Sequence, residues 1–260
     1  MKYFLYLSLF FVAACDDEKA KEQVSATLSQ EQQLLDALRQ FPDSTLMVEN
    51  AAQYYREREE YTKSLSVVDD AIKRDSTRFK YWYLKGRLHY ENADTVRAIQ
   101  ALETSTRLSK DLSSVLLLAK FYAETKNPAS LELSEWLIKQ QEFIKEAILI
   151  KGIYYNSINQ NEKAIEFFDE AIGTSYTFME PYREKAKVLY SEEKYMDALI
   201  VLDKALKVKN TYAEGYYYMG LCFEKLGRLE DAKESYETTL IYDSEFEIAR
   251  DALQKLQSVN

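Results

Sequence analysis

Ala213-Glu-Gly-Tyr-Tyr-Tyr-Met-Gly220-Leu-Cys-Phe223, followed by Gly227, Ala232 and Tyr236, is the stretch that decides the fold. It pairs one small residue with aromatics at helical spacing, passes through a glycine turn, and resumes with a second small residue and a second aromatic. The same arrangement recurs upstream. Lys151-Gly152-Ile-Tyr-Tyr155 is continued by Ala164, Phe168 and Ala171, and Trp82-Tyr-Leu-Lys-Gly86 by Ala98 and Leu102. Three series of small residues then emerge. The first is Ala52, Gly86, Gly152, Ala186 and Gly220, spaced 34, 66, 34 and 34. The second, Ser64, Ala98, Ala164, Ala198 and Ala232, has the same spacings. The third is Ala37, Ala71, Ser105, Ala171, Ala205 and Thr239, with the same 66-residue gap. A fixed period of this length marks a stack of supersecondary units. The gap holds one diverged unit and a loss of two residues.

Composition agrees with an all-helical chain. The 260 residues include 6 Gly and 3 Pro, far below the roughly 12 % of average usage, so there is too little turn chemistry for a sandwich, barrel or doubly wound sheet. With 47 % hydrophobic and 30 % charged residues the chain is globular. Three of the six glycines, Gly86, Gly152 and Gly220, occupy the same packing position instead of turns.

The pattern resembles the tetratricopeptide repeat. That family carries an aromatic, Leu, Gly and Tyr on the first helix of each pair, then Ala, an aromatic and Ala on the second. The resemblance implies an all-α fold, a right-handed superhelical solenoid of antiparallel helix pairs. Small residues would allow close helix approach, and aromatics would fill the space between pairs. The expected organisation is an N-terminal half-repeat helix over 30–44, with Ala37 in register and Pro42 after it. Six repeats follow at 45–78, 79–112, 113–144, 145–178, 179–212 and 213–246. A capping helix over 247–260 closes the stack, with Ser244 as a candidate cap. The third repeat is the diverged one, with Lys120 and Glu132 where small residues belong and Asn127-Pro128 at its turn.

The first residues read as a targeting segment. Met1-Lys2 precedes a 12-residue apolar run ending at Ala14, too short for the ~20 residues that span a bilayer. Val12-Ala13-Ala14-Cys15 resembles a bacterial lipoprotein signal. That resemblance implies a signal peptide over 1–14, cleavage before Cys15, and lipidation of its thiol with a diacylglyceryl group and usually a further acyl chain. Two or more chains give stable membrane anchoring. Residues 15–29 form a polar tether that reaches at most about 50 Å. Asp16-Asp17-Glu18 resembles two opposed sorting signals, one retaining lipoproteins at the inner membrane and one exporting them to the surface in Bacteroidota. The balance favours the outer membrane of a bacterial cell envelope, facing periplasm or surface.

Net charge is −9, and the basic tract 204–209 is broken by apolar residues, so nucleic acid is not an expected partner. One histidine, His89, and two cysteines, Cys15 and Cys222, cannot assemble a metal cluster or a nucleophilic triad. The expectation is no catalytic residue, no metal and no cofactor. Trp82, Tyr155, Tyr182, Tyr216 and Tyr236 read as packing aromatics, His89 as a satisfied, partly buried histidine, and Cys222 as a buried free thiol without a disulfide partner.

The resemblance places binding on the concave face. Following the 34-residue spacing and the 66-residue gap, that face should present Tyr83, Arg87 and Tyr90, then Leu117 and Phe121, then Leu149 and Ile153. Exposed apolar residues in a row suggest a docking surface. The diverged third unit could equally twist and bury them. The carboxylate clamp of some family members is missing, since Glu49, Gln53 and Leu84 occupy its positions. The expected function is a lipid-anchored, non-enzymatic scaffold that holds a protein partner, a peptide or helix, in this groove. In organisation it looks like envelope lipoproteins that assist pilus-secretin assembly or recruit cell-wall hydrolases. The alternative is a cell-surface glycan- or nutrient-binding lipoprotein, but those are longer and carry loops this chain lacks.

Overall fold

The computed structural model describes residues 29–259. The leader at 1–14, the lipidation site Cys15 and the tether as far as residue 28 lie outside the described residues. Within them are α1 (Gln30–Gln40), α2 (Thr45–Arg56), α3 (Tyr61–Arg74), α4 (Phe79–Glu91), α5 (Thr95–Leu108), α6 (Leu112–Glu124) and α7 (Ala129–Lys139). They are followed by α8 (Ile144–Ser157), α9 (Asn161–Thr174), α10 (Glu180–Ser191), α11 (Tyr195–Val208), α12 (Ala213–Lys225), α13 (Leu229–Tyr242) and α14 (Glu247–Val259). No strand occurs among the described residues. The helices stack as antiparallel pairs in a right-handed solenoid, with α2, α4, α6, α8, α10 and α12 on the inner face and their partners outside.

Each pair is closed by the same device. A residue in the left-handed region follows each inner helix: Glu59, Ala93, Lys126, Asn159, Glu193 and Gly227, with φ between 58° and 72°. The next N–H reaches back to a carbonyl five residues earlier, as from Asp94 to His89 at 2.8 Å and from Arg228 to Phe223 at 2.9 Å. This Schellman closure satisfies carbonyls that the helix end leaves free. Only Gly227 adopts the conformation without steric cost; the other five accept it because the packed pair dictates it.

Small residues sit where the two helices of a pair approach. A Cβ on Gly86 would lie 2.7 Å from Leu102 Cγ, one on Gly152 2.4 Å from Phe168 Cε1, and one on Gly220 2.4 Å from Tyr236 Cε1. Phe168, Leu102 and Tyr236 are fully buried, so the glycines leave room for the largest outer-helix side chains. Where the first small series holds alanine, as at Ala52 and Ala186, the residue sixteen positions on is Val68 or Leu202. Ser64 and Ser105 of the other series are buried hydroxyls with partners, donating to Ala52 O at 2.7 Å and Phe79 O at 2.9 Å.

The third pair departs from this pattern by one residue. Its left-handed turn residue, Lys126, falls 33 residues after Ala93 and 33 before Asn159. Both missing residues are thus shared between two 33-residue steps, and α6 and α8 begin at Leu112 and Ile144. Ala119, fully buried, takes the place the sequence pattern gave to Lys120. On α7, Pro128 winds the first turn tightly, with Ser130 donating to Asn127 O and Leu131 to Pro128 O. The helix therefore buries Ser130, Ser134 and Leu137, while Glu132 points outward, away from the crossing. Two further left-handed residues, Gln141 and Phe143, lead from α7 into α8.

The ends are covered. Tyr55 Oη donates to Glu31 Oε1 of α1 at 2.9 Å, and Leu38 of α1 packs against the core cluster that holds Val48 and Val68. At the other end, Ala249 and Leu256 of α14 are buried, and Leu256 joins Ala232 and Tyr236 in the last cluster.

Candidate partner-binding groove

The inner helices line an open concavity of about 800 Å³ between α4 and α10. Its apolar floor comes from Leu116 and Leu117 of α6 and from Leu149, Ile150 and Ile153 of α8. Tyr83 and Tyr90 of α4 form one wall. Phe143 and Phe178, both from loops, line the concavity as well. Glu180, Arg183, Glu184 and Lys187 of α10 close the far side.

Of the seven residues expected on this face, the structure brings Tyr83, Tyr90, Leu117, Leu149 and Ile153 together around one concavity. Leu149 is only 8 % exposed and serves the core more than the surface. Arg87 lines a smaller neighbouring hollow with Glu49, Gln53, Arg56, Tyr83, Leu84 and Leu88, and lies 3.6 Å from Glu91. Phe121 is a correction. It is fully buried, packed with Ala98, Leu102 and Leu118, and its ring stacks on Tyr90 at 4.1 Å. The cause is the one-residue slip of the third pair. Counting 34 from Tyr83 and Arg87 gives Leu117 and Phe121, whereas the actual step of 33 gives Leu116 and Lys120. One residue turns a side chain by about 100° around the helix. Leu116 and Lys120 do line the groove, and the spacing missed them. Ala119, halfway between Gly86 and Gly152, was the available signal.

The electrostatics of the groove are mixed. Three cations, Lys120, Arg183 and Lys187, face four carboxylates, Glu124, Glu146, Glu180 and Glu184. Glu184 is well paired, accepting from Arg183 Nε at 3.0 Å and Lys187 Nζ at 2.8 Å. Arg183 also donates to both oxygens of Glu214 on α12. Glu124 is held differently. Lys120 Nζ stands 3.8 Å away and Tyr90 Oη donates at 3.4 Å. Burial pushes its carboxyl above the ordinary range and Glu184 adds to the rise, while Lys120, Tyr90 and Lys187 act against it.

His89 also needs correction. It is 7 % exposed, but its Nδ1 is buried without a hydrogen-bond partner, so it is not a satisfied histidine. Desolvation lowers its pKa; Asp94 and Asp69 oppose this, and Lys85 and Arg97 reinforce it. Cys222 is a free, buried thiol, pushed up to about 12 by burial and therefore a poor nucleophile. Tyr182 and Tyr236 are core residues. Trp82, Tyr155 and Tyr216 are partly buried, and Trp82, Tyr182 and Tyr216 each donate to a carbonyl six residues back in the preceding loop. Among the described residues no group of three or more His, Cys, Asp or Glu is placed to hold a metal ion, and no helix is long and apolar enough to cross a membrane.

Comparison with known proteins gives the same architecture. Residues 49–112 and 183–245 match the family described as tetratricopeptide repeat. The unmatched stretch between them contains the slipped third pair. Heat shock protein STI1 of Saccharomyces cerevisiae is 29 % identical over 96 residues, which is 36 % of this chain and 16 % of that protein, so this chain spans a small part of that relative's length. A tetratricopeptide repeat protein from Parabacteroides merdae superposes with a TM-score of 0.73 at 15 % identity, over 87 % of this chain and 91 % of that one. Yeast Tom70 superposes with a TM-score of 0.64 at 17 % identity, over 88 % of this chain and 49 % of that one.

Proposed function

We propose, from the premise that this chain is a tetratricopeptide-repeat protein and hence a protein-interaction scaffold, that it is a lipid-anchored adaptor of the bacterial cell envelope. It holds a peptide or helix of a protein partner in the concavity between α4 and α10 and helps assemble an envelope complex. It performs no catalysis of its own. The observation that carries the reading is the partly exposed floor of Leu116, Leu117 and Ile153 on a face a solvated solenoid would keep polar. An apolar floor with charged walls suits a segment that buries a few anchors and is oriented by polar contacts at the rim. Connections of three to five residues leave no loop long enough to build a sugar platform. The anchor follows from the Val12-Ala13-Ala14-Cys15 pattern, which favours attachment through Cys15 and an outer-membrane location.

The test is a photo-reactive residue placed in living cells at Leu117 or Ile153, in the groove, or at Met196, exposed on the outer helix α11. Adducts from the groove positions and none from Met196 support the reading. Adducts from Met196 alone, or equal adducts from all three, refute it. Fractionation of Cys15→Ser should move the chain from the membrane to the soluble fraction, and an unchanged distribution counts against the anchor.

A further inference from the structure

Glu124 ends α6 at the rim of the apolar floor, and its surroundings single it out among the groove's charges. Arg183, Lys187 and Glu184 satisfy one another at 2.8–3.0 Å, and Arg183 reaches Glu214 as well. Those cations are already paired with Glu184 and Glu214. Glu124 has the 3.8 Å approach of Lys120 and the 3.4 Å hydroxyl of Tyr90, and its side chain is 31 % exposed at the groove's rim. An ionised carboxylate can accept about four hydrogen bonds. One left short of donors in a half-buried position is destabilised as an anion, and its raised pKa is in keeping with that. A donor cation arriving with a ligand would therefore gain more here than at an exposed acid. An acidic ligand would meet Glu124, Glu146 and Glu180 with Lys120, itself drawn to Glu124 at 3.8 Å, as the one groove cation outside the Arg183–Glu184–Lys187 set to offset them.

We infer that the groove's occupant is a protein segment carrying apolar side chains for the floor of Leu117 and Ile153 and a lysine or arginine that seats on Glu124. This rests on the groove reading given above and adds the chemistry of the partner. The two apolar anchors lie over α6 and α8, and the cation is placed toward the C-terminal end of α6. The polarity is opposite to that of a groove built for an acidic chain terminus, which accords with Glu49, Gln53 and Leu84 at the positions such a clamp would use.

The experiment is selection of random 16-residue peptides displayed on phage against the chain, counter-selected against its Ile153→Gln and Leu117→Gln variants. Enriched peptides are synthesised and titrated by fluorescence anisotropy with the parent chain and with Glu124→Gln. The inference expects lysine or arginine at a fixed distance from an apolar pair. It also expects affinity about tenfold or more weaker for Glu124→Gln, as for the loss of a charge-assisted hydrogen bond. Changing the peptide's cation to methionine should give the same loss, and combining both changes should add little further. Peptides that need the Ile153 face but carry no cation, carry acids instead, or bind Glu124→Gln equally well overturn this inference and leave the groove reading standing. A selection that yields no binder sensitive to the Ile153 and Leu117 variants overturns the groove reading itself. Melting curves of Glu124→Gln and the two counter-selection variants within a few degrees of the parent exclude unfolding as the cause.

Discussion

Gly152 gives the sharpest test of the packing account, because a second glycine in the partner helix supplies its control. Gly152→Ala adds a Cβ 2.4 Å from Phe168 Cε1 and 2.6 Å from Cδ1, where ordinary contact begins at 3.4 Å. Phe168 is fully buried among Ile148, Leu149, Ala164, Ala171 and Val188 and has no space into which to withdraw by the roughly 1 Å required. Alanine in a helix interior gains about 1 kcal/mol over glycine, while overpacking of a filled core costs about 1–3 kcal/mol. With the overlap set against a rigid ring, the upper end applies, and the net loss is about 2 kcal/mol. For a chain of this size that is a fall in Tm of roughly 4–8 °C. Gly173→Ala, in the last turn of α9, meets nothing within 4 Å and should raise Tm by roughly 1–4 °C. Thermal and urea melts followed by circular dichroism read both. Phe168→Leu should restore part of the loss in Gly152→Ala, because α10 and α11 already bury Ala186 and Leu202 in one cluster. If Gly152→Ala stabilises as Gly173→Ala does, the close approach of α8 and α9 is not what the glycine serves.

Phe121→Glu should destabilise the chain by more than about 4 kcal/mol, since it combines loss of a buried ring with a buried carboxylate, and a melt equal to the parent's would contradict its burial. His89 makes the folded chain less stable in acid. Above about pH 6.5 both states carry it neutral; below, the unfolded chain takes up a proton that the folded one resists, so stability falls as pH drops. Urea midpoints at about pH 7.5 and 5 should therefore diverge less in His89→Phe than in the parent, and an equal divergence would place the proton elsewhere.

Much of the fold is legible in the sequence because close helix crossings leave few choices of residue. Gly86, Gly152 and Gly220 mark the places where Leu102, Phe168 and Tyr236 enter, and their spacing carries the solenoid with it. The third pair is harder to read. Ala119 and Lys120 are adjacent, and a 34-residue count from Gly86 falls on Lys120, whereas the midpoint between Gly86 and Gly152 falls on Ala119. The backbone settles the 33-residue step, where Lys126 takes the left-handed turn. Pro128 rotates α7 so that Ser130 and Ser134 are buried instead of the positions the pattern names, and both hydroxyls lack partners there. This slip removed Phe121 from the groove and put Leu116 and Lys120 into it. Tyr83, Leu117 and Ile153 survived, since Leu117 borders the groove in either register. The carboxylate at Glu124 had no sequence signal, because its significance lies in how few donors the fold brings to it.

The central claim is that the concave floor between α4 and α10 holds the partner. The most direct measurement is calorimetric titration of the partner recovered by groove cross-linking into the parent chain, Ile153→Gln and Met196→Gln. The account predicts a loss of at least about tenfold in affinity for Ile153→Gln, the scale of a buried apolar anchor, with parental affinity for Met196→Gln and comparable melting for all three. Equal affinity for Ile153→Gln and the parent, or a loss confined to Met196→Gln, would contradict it.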